Sequence, residues 1–239
     1  MAGVDKPGMR VLEVASGSGT HAEIITQSFL SRVGSPVYVT CDFSVKFIEM
    51  LEERFQASEY AQVPGNVFEI DCETDYTANE ETIDLDALVE SKGQFKKAVF
   101  GHRASGTALP YPDAWFDCYV SNLCLMLVDD PNKMLLEAYR VLKPGSKACF
   151  TVWGRRERCL LFHLEDLAKK SLTKEAVKLD VGSSTEKSNF DYAEDIAEHE
   201  AVFKSVGFTQ IKHWYQPQNF PYRSGKEFLE CAVNKNSFP

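Results

Sequence analysis

Short apolar runs alternate with segments of helical periodicity along most of the chain. Strands are predicted at residues 11–15, 37–41, 67–70, 116–121, 148–153 and 209–215, and the run at residues 37–41 is continuous and β-branched, as in a parallel sheet. Amphipathic helices, with apolar residues every three or four positions, are predicted at residues 21–33, 44–55, 132–142, 158–170 and 192–206. The alternation predicts an α/β fold, a doubly wound and mostly parallel Rossmann-like sheet of seven or six strands with helices on both faces.

The periodic pattern is weakest in the middle of the chain. Residues 71–90 contain eight acidic side chains without fixed spacing or histidine partners, and the apolar run at residues 98–100 is very short. Calcium and magnesium sites need oxygen ligands at defined spacing, so we interpret the acidic run as a solvated surface and residues 71–97 as an insertion.

Composition and charge restrict the possible functions. The 239 residues include 44% hydrophobic side chains, and the formal net charge is −9, which disfavours binding of nucleic acid through a broad basic surface. Seven scattered cysteines without a C-x-x-C pair predict a reducing compartment and no metal site. The first ten residues lack the apolar segment of a signal peptide, and the longest apolar run is too short to span a bilayer, so we expect a cytoplasmic protein.

A glycine-rich turn follows the first predicted strand. Residues 17–22 read Gly-Ser-Gly-Thr-His-Ala and fit G-x-G-x-x-G/A, and Asp42 ends the next strand 25 residues after Gly17. Glycines let the backbone approach a ligand closely, and an acid at the second strand can hold ribose hydroxyls. This pattern is compatible with NAD and with S-adenosylmethionine. The carboxylate of Glu13, close to the turn, would repel a pyrophosphate and favours the second cofactor.

Motifs further along the chain carry a more specific signal. The chain resembles the class I S-adenosylmethionine-dependent methyltransferases, in particular the type 11 branch that contains the ubiquinone and menaquinone C-methyltransferases. The resemblance covers roughly residues 10–154 and depends on the order and spacing of several motifs. These motifs are Val-Leu-Glu-Val-Ala-Ser-Gly-Ser-Gly (11–19), Cys-Asp-Phe-Ser (41–44), Ala-Leu-Pro-Tyr-Pro-Asp-Ala-Trp-Phe-Asp (108–117), Ser-Asn-Leu (121–123) and Glu-Ala-Tyr-Arg-Val-Leu-Lys-Pro-Gly (137–145).

The resemblance implies S-adenosylmethionine as the cofactor and suggests how the chain holds it. Gly17 and Gly19 would bring backbone against the methionine half. Glu13 would lie beneath the cofactor and anchor the N–H groups of the turn, or the cofactor amino group through water. Asp42 would accept both ribose hydroxyls in a charge-assisted bidentate contact. Phe43 would pack on the adenine face.

Further cofactor contacts are implied at the ends of other strands. Ala15 belongs to the turn itself. Where relatives carry an acid and a small residue before the Leu-Pro element, this chain has Ser105 and Gly106. Asn122 and Leu123 close the strand whose end meets the methionine half and the substrate in the family.

No single catalytic side chain is evident from the sequence. Methyl transfer is an in-line displacement, and a base is needed only if the acceptor must lose a proton. Tyr111, His163 and Tyr215 are candidates for the acceptor pocket, although each could equally be structural. His21, which follows the glycine turn, is either a surface histidine or faces the site.

We therefore expect a methyltransferase that acts on a small molecule. Two alternatives stay open: a methyltransferase-like subunit without catalysis, and an NAD-dependent oxidoreductase. One domain over residues 1–239 is expected, divided into a cofactor-binding core (10–154) with the acidic insertion (71–97), a helical substrate or lid region (155–206), and a terminal edge strand and tail (207–239). A partner or a second copy of the chain could cover the edge of the sheet.

Overall fold

The computed structural model describes residues 7–29, 33–77, 81–155, 158–159, 192, 195–217 and 223–227. These residues belong to two compact units, one within Met1–Thr151 and Ala201–Thr209 and the other within Val152–Glu200 and Gln210–Pro239. The first unit contains the sheet. Almost all of the predicted helix 158–170 lies outside the described residues, and the division into functional regions stays a prediction.

Among the described residues, six strands form a single sheet in which all neighbouring pairs are parallel. The strands are β1 (Arg10–Val14), β2 (Val37–Asp42), β3 (Asn66–Asp75), β4 (Lys97–Arg103), β5 (Phe116–Asn122) and β6 (Leu142–Thr151). Their order across the sheet is β3-β4-β2-β1-β5-β6. The chain leaves β1 toward β2 on one side and later returns to β5 on the other. The carboxyl ends of these strands therefore meet at a topological switch point, where open α/β sheets bind ligands.

The sheet confirms the predicted doubly wound fold, in its six-stranded form. The predicted late strand at Thr209–Tyr215 is wrong, because residues 209–215 have no strand pairing in the structure. A strand gains its hydrogen bonds only from a neighbour, and here Trp214 and Tyr215 stay 68% and 47% exposed. Within the described part of the chain, β6 is consequently an edge of the sheet.

The two central strands are buried along their length. In β1 only Arg10 is partly exposed, and every residue of β2 is buried, as expected for parallel strands covered by helices on both faces. One face of the sheet packs into a cluster with the helices that follow β1 and β2. Its fully buried members include Ala22, Tyr38, Ile48, Leu51 and Phe55.

The helices in the described part of the chain are α1 (Thr20–Ile24), α2 (Val45–Ala57), α3 (Glu59–Gln62), α4 (Leu85–Ser91), α5 (Pro131–Val141) and α6 (Ile196–Val206). The helices predicted at residues 44–55 and 132–142 are confirmed as α2 and α5, and α6 lies within the helix predicted at residues 192–206, whereas α3 and α4 were not predicted. The helix predicted at residues 21–33 is confirmed only in part, because α1 continues as a π-helical turn over Ile25–Phe29. The start of α5 follows from its sequence: Pro131 occupies the first turn, and Asp130 accepts a hydrogen bond from the N–H of Lys133 at 3.0 Å.

The acidic middle of the chain is more regular than its sequence indicates. The strand predicted at residues 67–70 is confirmed and is longer than predicted, because β3 continues to Asp75. The apolar run at residues 98–100 lies within β4. Between them, the carboxylate of Asp84 caps α4 by accepting from the N–H of Ala87 at 2.9 Å. Four acids of β3 lie on a strand at the edge of the sheet: Glu69, Asp71, Glu73 and Asp75. Charged side chains on an edge strand hinder pairing with another chain.

An arginine fastens the Leu-Pro-Tyr-Pro segment to α5. The guanidinium of Arg140 donates to the carbonyls of Leu109 and Tyr111 at 3.0 and 2.7 Å. It also donates to both carboxylate oxygens of Glu137 at 2.8 Å and to Asp113 at 2.7 Å. Only a planar guanidinium can satisfy so many acceptors at once. This network fixes the chain between β4 and β5 against the last turn of α5.

Candidate functional site

The glycine turn lies directly at the carboxyl end of β1. The N–H groups of Ala15 and Ser16 donate to the carbonyl of Cys41 at 2.8 and 3.1 Å, so the turn is fastened to the end of β2. Three of its residues have left-handed backbone conformations: Ala15 (φ 64°), Gly17 (φ 53°) and Gly19 (φ 78°). This conformation suits glycine but is strained for alanine.

The two glycines have different surroundings. A Cβ atom added at Gly19 would lie 2.4 Å from Cδ1 of the buried Leu51, so this glycine allows close packing against α2. A Cβ atom added at Gly17 would meet no atom within 4 Å. Gly17 therefore presents an open backbone surface at the switch point, whereas Gly19 serves the packing of the protein.

Asp42 joins the end of β2 to the turn. Its Oδ2 accepts from the N–H of Gly17 at 2.9 Å, and its Oδ1 accepts from the N–H of Ser44, also at 2.9 Å. Burial raises the pKa of the Asp42 carboxyl, although both N–H groups act to lower it. Each carboxylate oxygen keeps a second acceptor site, so the side chain can still receive two hydroxyl groups.

Three further predicted residues border this region, one after β2 and two after β4. Phe43, directly after β2, is 65% exposed, which is unusual for a phenylalanine. After β4, the hydroxyl of Ser105 lies 2.9 Å from that of Thr107. A Cβ atom added at Gly106 would lie 2.9 Å from Cγ1 of Val14, so this glycine allows the segment to pack closely against the end of β1.

The end of β5 is held by β6. Leu123 has a left-handed backbone (φ 54°), and its N–H donates to the carbonyl oxygen and to Oγ1 of Thr151, both at 3.0 Å. The amide oxygen of Asn122, an exposed residue, accepts from the Thr151 hydroxyl. The backbone N–H of Leu123 is thus already used within the protein.

Glu13 makes contacts that its sequence position does not reveal. The carboxylate is 1% exposed and accepts from Nδ1 of His21 at 2.7 Å, from the hydroxyl of Tyr38 at 2.8 Å and from that of Thr40 at 3.3 Å. These partners are side chains rather than the N–H groups of the turn that we expected. The signal for His21 was its place two residues after the last glycine of the turn, but the ion pair itself could not be inferred.

The three candidates for an acceptor pocket differ in their placement. Tyr111 is 1% exposed, and its hydroxyl lies 3.2 Å from Nδ1 of His102, so it belongs to the core and we do not retain it as a pocket residue. Tyr215 is 47% exposed, and the guanidinium carbon of Arg155 lies 5.8 Å from its ring centroid. His163 lies outside the described residues.

The buried His102 should make stability depend on pH. Burial lowers the pKa of His102 to about 4, from an ordinary value of 6.5. Between these values the unfolded chain binds a proton that the folded chain does not, so the free energy of unfolding falls as the pH falls. The loss attributable to His102 is about 2 kcal/mol between pH 7 and pH 5.

Urea unfolding of the wild type and of His102→Gln at both pH values measures this effect. The variant should lose less stability than the wild type on acidification, by that amount. An identical pH dependence of the two proteins would show that His102 is not the titrating group.

The residues at the switch point fit a polar cofactor with an aromatic ring. Besides the open surface at Gly17 and the exposed ring of Phe43, the hydroxyl of Ser16 is buried without a hydrogen-bond partner in the described part of the chain. A buried polar atom of this kind costs free energy unless it forms a hydrogen bond, which a bound cofactor could supply.

The described residues contain no group of three or more His, Cys, Asp or Glu side chains placed to hold a metal ion. None of the described helices is long and apolar enough to cross a membrane.

Comparison with known proteins shows which family the chain resembles. A family model described as "Methyltransferase domain" matches residues 12–150. The ubiquinone/menaquinone biosynthesis C-methyltransferase UbiE of Vibrio cholerae is 26% identical over 143 residues, which cover 59% of this chain and 40% of the relative. The protein of the same name from Ruegeria sp. is 28% identical over 142 residues, covering 59% and 41%. The chain thus spans about two fifths of the length of these curated relatives.

The fold also has a counterpart among solved structures. The YcgJ protein from Bacillus subtilis superposes with a TM-score of 0.50 at 15% sequence identity, and the alignment covers 95% of this chain and 72% of that protein. At this identity the likeness concerns the fold alone.

Proposed function

The chain belongs to the methyltransferase-domain family of class I S-adenosylmethionine-dependent methyltransferases, and we propose that it transfers a methyl group from S-adenosylmethionine to a small-molecule acceptor. One observation carries the proposal most directly: the N–H of Gly17 donates to Asp42 at 2.9 Å. This bond brings the glycine turn and the acid after β2 together at the switch point of the sheet. Cofactors bind at such points in doubly wound folds.

In this proposal each element of the site receives a different part of the cofactor. Asp42 accepts the two ribose hydroxyls with the acceptor sites left beside Gly17 and Ser44. The exposed ring of Phe43 packs on the adenine. The open backbone surface at Gly17 lies against the methionine half, and the unpartnered hydroxyl of Ser16 gains a polar neighbour there.

S-adenosylmethionine supplies a methyl group on a sulfonium, from which an acceptor nucleophile can displace it in line. The chain's own contribution is to orient the reactants and to exclude water from them. A base is needed only when the acceptor loses a proton, and we assign none to this chain.

The proposal also concerns the chemical class of the methyl acceptor. The curated relatives are named for C-methylation in ubiquinone and menaquinone biosynthesis, which supports a small molecule of that pathway as the first acceptor class to test. The net charge of −9 argues against a nucleic acid. A second subunit that covers an edge of the sheet and a cytoplasmic location both stay predictions.

Isothermal titration of the purified chain with S-adenosylmethionine tests the proposal, with NADH and buffer as the other arms. We expect saturable binding of S-adenosylmethionine and no heat beyond dilution with NADH. Binding of NADH without binding of S-adenosylmethionine would instead indicate an oxidoreductase. Binding of neither ligand at millimolar concentration would refute the proposal that the chain is an enzyme.

A further inference from the structure

A histidine lies between a buried carboxylate and the solvent beside the glycine turn. Nδ1 of His21 is 2.7 Å from Oε1 of Glu13, while Oε2 of Glu13 accepts from the hydroxyls of Tyr38 and Thr40. An ionised carboxylate only accepts hydrogen bonds, so Nδ1 of His21 donates. The side chain of His21 is 38% exposed and that of Glu13 only 1%. Since Nδ1 is held at the buried acid, the exposed part of the ring is its opposite edge, which carries Nε2.

The charged groups around the glycine turn are mostly acidic, and His21 can supply a positive charge among them. Two largely buried acids, Glu13 and Asp42, lie at the ends of β1 and β2. The methionine half of the cofactor carries a carboxylate, which both acids would repel. Arg54 already donates to the carbonyl of Ser18 at 2.8 Å and to Glu23 at 3.1 Å. In the described part of the chain, His21 is the one group in contact with Glu13 that can become positively charged.

We propose that His21, held as an imidazolium by Glu13, binds the carboxylate of the methionine half of S-adenosylmethionine through its Nε2–H. The inference rests on the proposed function and adds a cofactor-positioning residue to it. Glu13 acts through His21 and does not contact the cofactor itself. This role explains why, among the described residues, the carboxylate of Glu13 forms hydrogen bonds only with side chains. The charge of Glu13 thereby favours an anionic ligand group instead of repelling it.

The proposal predicts the direction of a pH effect on binding. The hydrogen bond to Glu13 raises the pKa of His21, burial lowers it, and the charge of Glu13 raises it further, with a net rise above 6.5. Among the neighbouring titratable groups, Tyr38 of β2 donates to Glu13, and Asp42 at the end of β2 interacts with the charge of Glu13. Glu23 of α1 is paired with Arg54 of α2. Cofactor affinity should therefore be highest below the pKa of His21 and fall as the pH rises through it.

Two ligands that differ in the proposed contact give the test. S-adenosylhomocysteine keeps the carboxylate, and 5′-methylthioadenosine lacks the whole amino-acid end. We expect His21→Gln to weaken binding of S-adenosylhomocysteine about tenfold at pH 6, the scale of a partly exposed charge-assisted hydrogen bond, and to leave binding of 5′-methylthioadenosine unchanged. The wild type should lose a similar factor between pH 6 and pH 9 for the first ligand only, and the variant should not.

Two further variants separate a contact from a structural effect. Tyr38→Phe removes one hydrogen bond from Glu13 but keeps His21, so it should bind both ligands as the wild type does. Glu13→Gln should move the pH midpoint of binding downward, because His21 loses the charge that raises its pKa. Circular dichroism and thermal unfolding establish that each variant is folded.

Equal weakening of both ligands by His21→Gln would overturn the proposal, as would unchanged binding of S-adenosylhomocysteine. If the wild type binds neither ligand, the proposed function fails and the role of His21 with it. If the wild type binds both ligands without discrimination by His21, only the role of His21 is rejected.

Discussion

Replacing Gly19 with alanine is expected to lower the free energy of unfolding by about 3 kcal/mol, because overpacking and a left-handed backbone each cost one to a few kcal/mol. The added Cβ would lie 2.4 Å from Cδ1 of Leu51 and 3.4 Å from its Cα. Leu51 is fully buried in the core beneath α2, so it has little room to move. The backbone of Gly19, at φ 78°, would also be strained by a side chain. Urea unfolding at neutral pH measures the loss.

Gly17→Ala is the matched control in the same turn. Gly17 also has a left-handed backbone, at φ 53°, but no atom lies within 4 Å of an added Cβ. Only the conformational strain remains, so the expected loss of stability is about 1 kcal/mol. Under the proposed function, the added methyl group of Gly17→Ala should instead weaken cofactor binding. Equal destabilisation by the two substitutions would contradict the difference in packing that the structure shows.

Replacing Asp42 with alanine is expected to weaken binding of S-adenosylmethionine at least about a hundredfold, since two charge-assisted hydrogen bonds to the ribose are lost. The substitution also removes the acceptor for the N–H groups of Gly17 and Ser44. Asp42→Asn keeps the size of the side chain and one acceptor oxygen but loses the charge, so it should fall between the wild type and Asp42→Ala. Isothermal titration measures the affinity of all three proteins.

The loss of a capping carboxylate can be tested separately. Asp130→Ala removes a carboxylate that accepts from the N–H of Lys133 at the start of α5, much as Asp42 accepts from Ser44. This variant should lose about 1 kcal/mol of stability and bind the cofactor like the wild type. An affinity of Asp42→Ala equal to that of Asp130→Ala would mean that the ribose is held elsewhere.

Much of the sheet could be predicted from the chain alone, because buried parallel strands consist of continuous apolar runs. The runs at Val11–Ala15 and Val37–Cys41 become β1 and β2 almost residue for residue. The segment Thr209–Tyr215, in which Gln210, Lys212 and His213 interrupt the apolar residues, was also predicted as a strand and forms none. An apolar run records only that burial would be favourable, whereas a strand also needs a neighbour with free N–H and C=O groups.

Part of the candidate site could also be predicted from the sequence. The glycine turn and Asp42 lie at the ends of adjacent parallel strands, so strand order alone brings them to one edge, and the bond from Gly17 to Asp42 follows. The burial of Tyr111 against His102 could not be predicted, since it depends on how the segment between β4 and β5 folds back over the sheet. Residues in such segments have no periodicity that reports which way they face.

The chain's own pattern was sufficient for the fold class, for the position of the turn and for the family, because these depend on local spacing and on the order of motifs. It could not show that Ala15 takes a left-handed conformation, that Gly19 packs on Leu51 while Gly17 stays open, or that Glu13 pairs with His21. Those features depend on distances between β1, β2, α1 and α2, which exist only when the elements are packed. Spacing along the chain places residues at an edge of the sheet, and packing determines which atoms there are already bonded and which are free for a ligand.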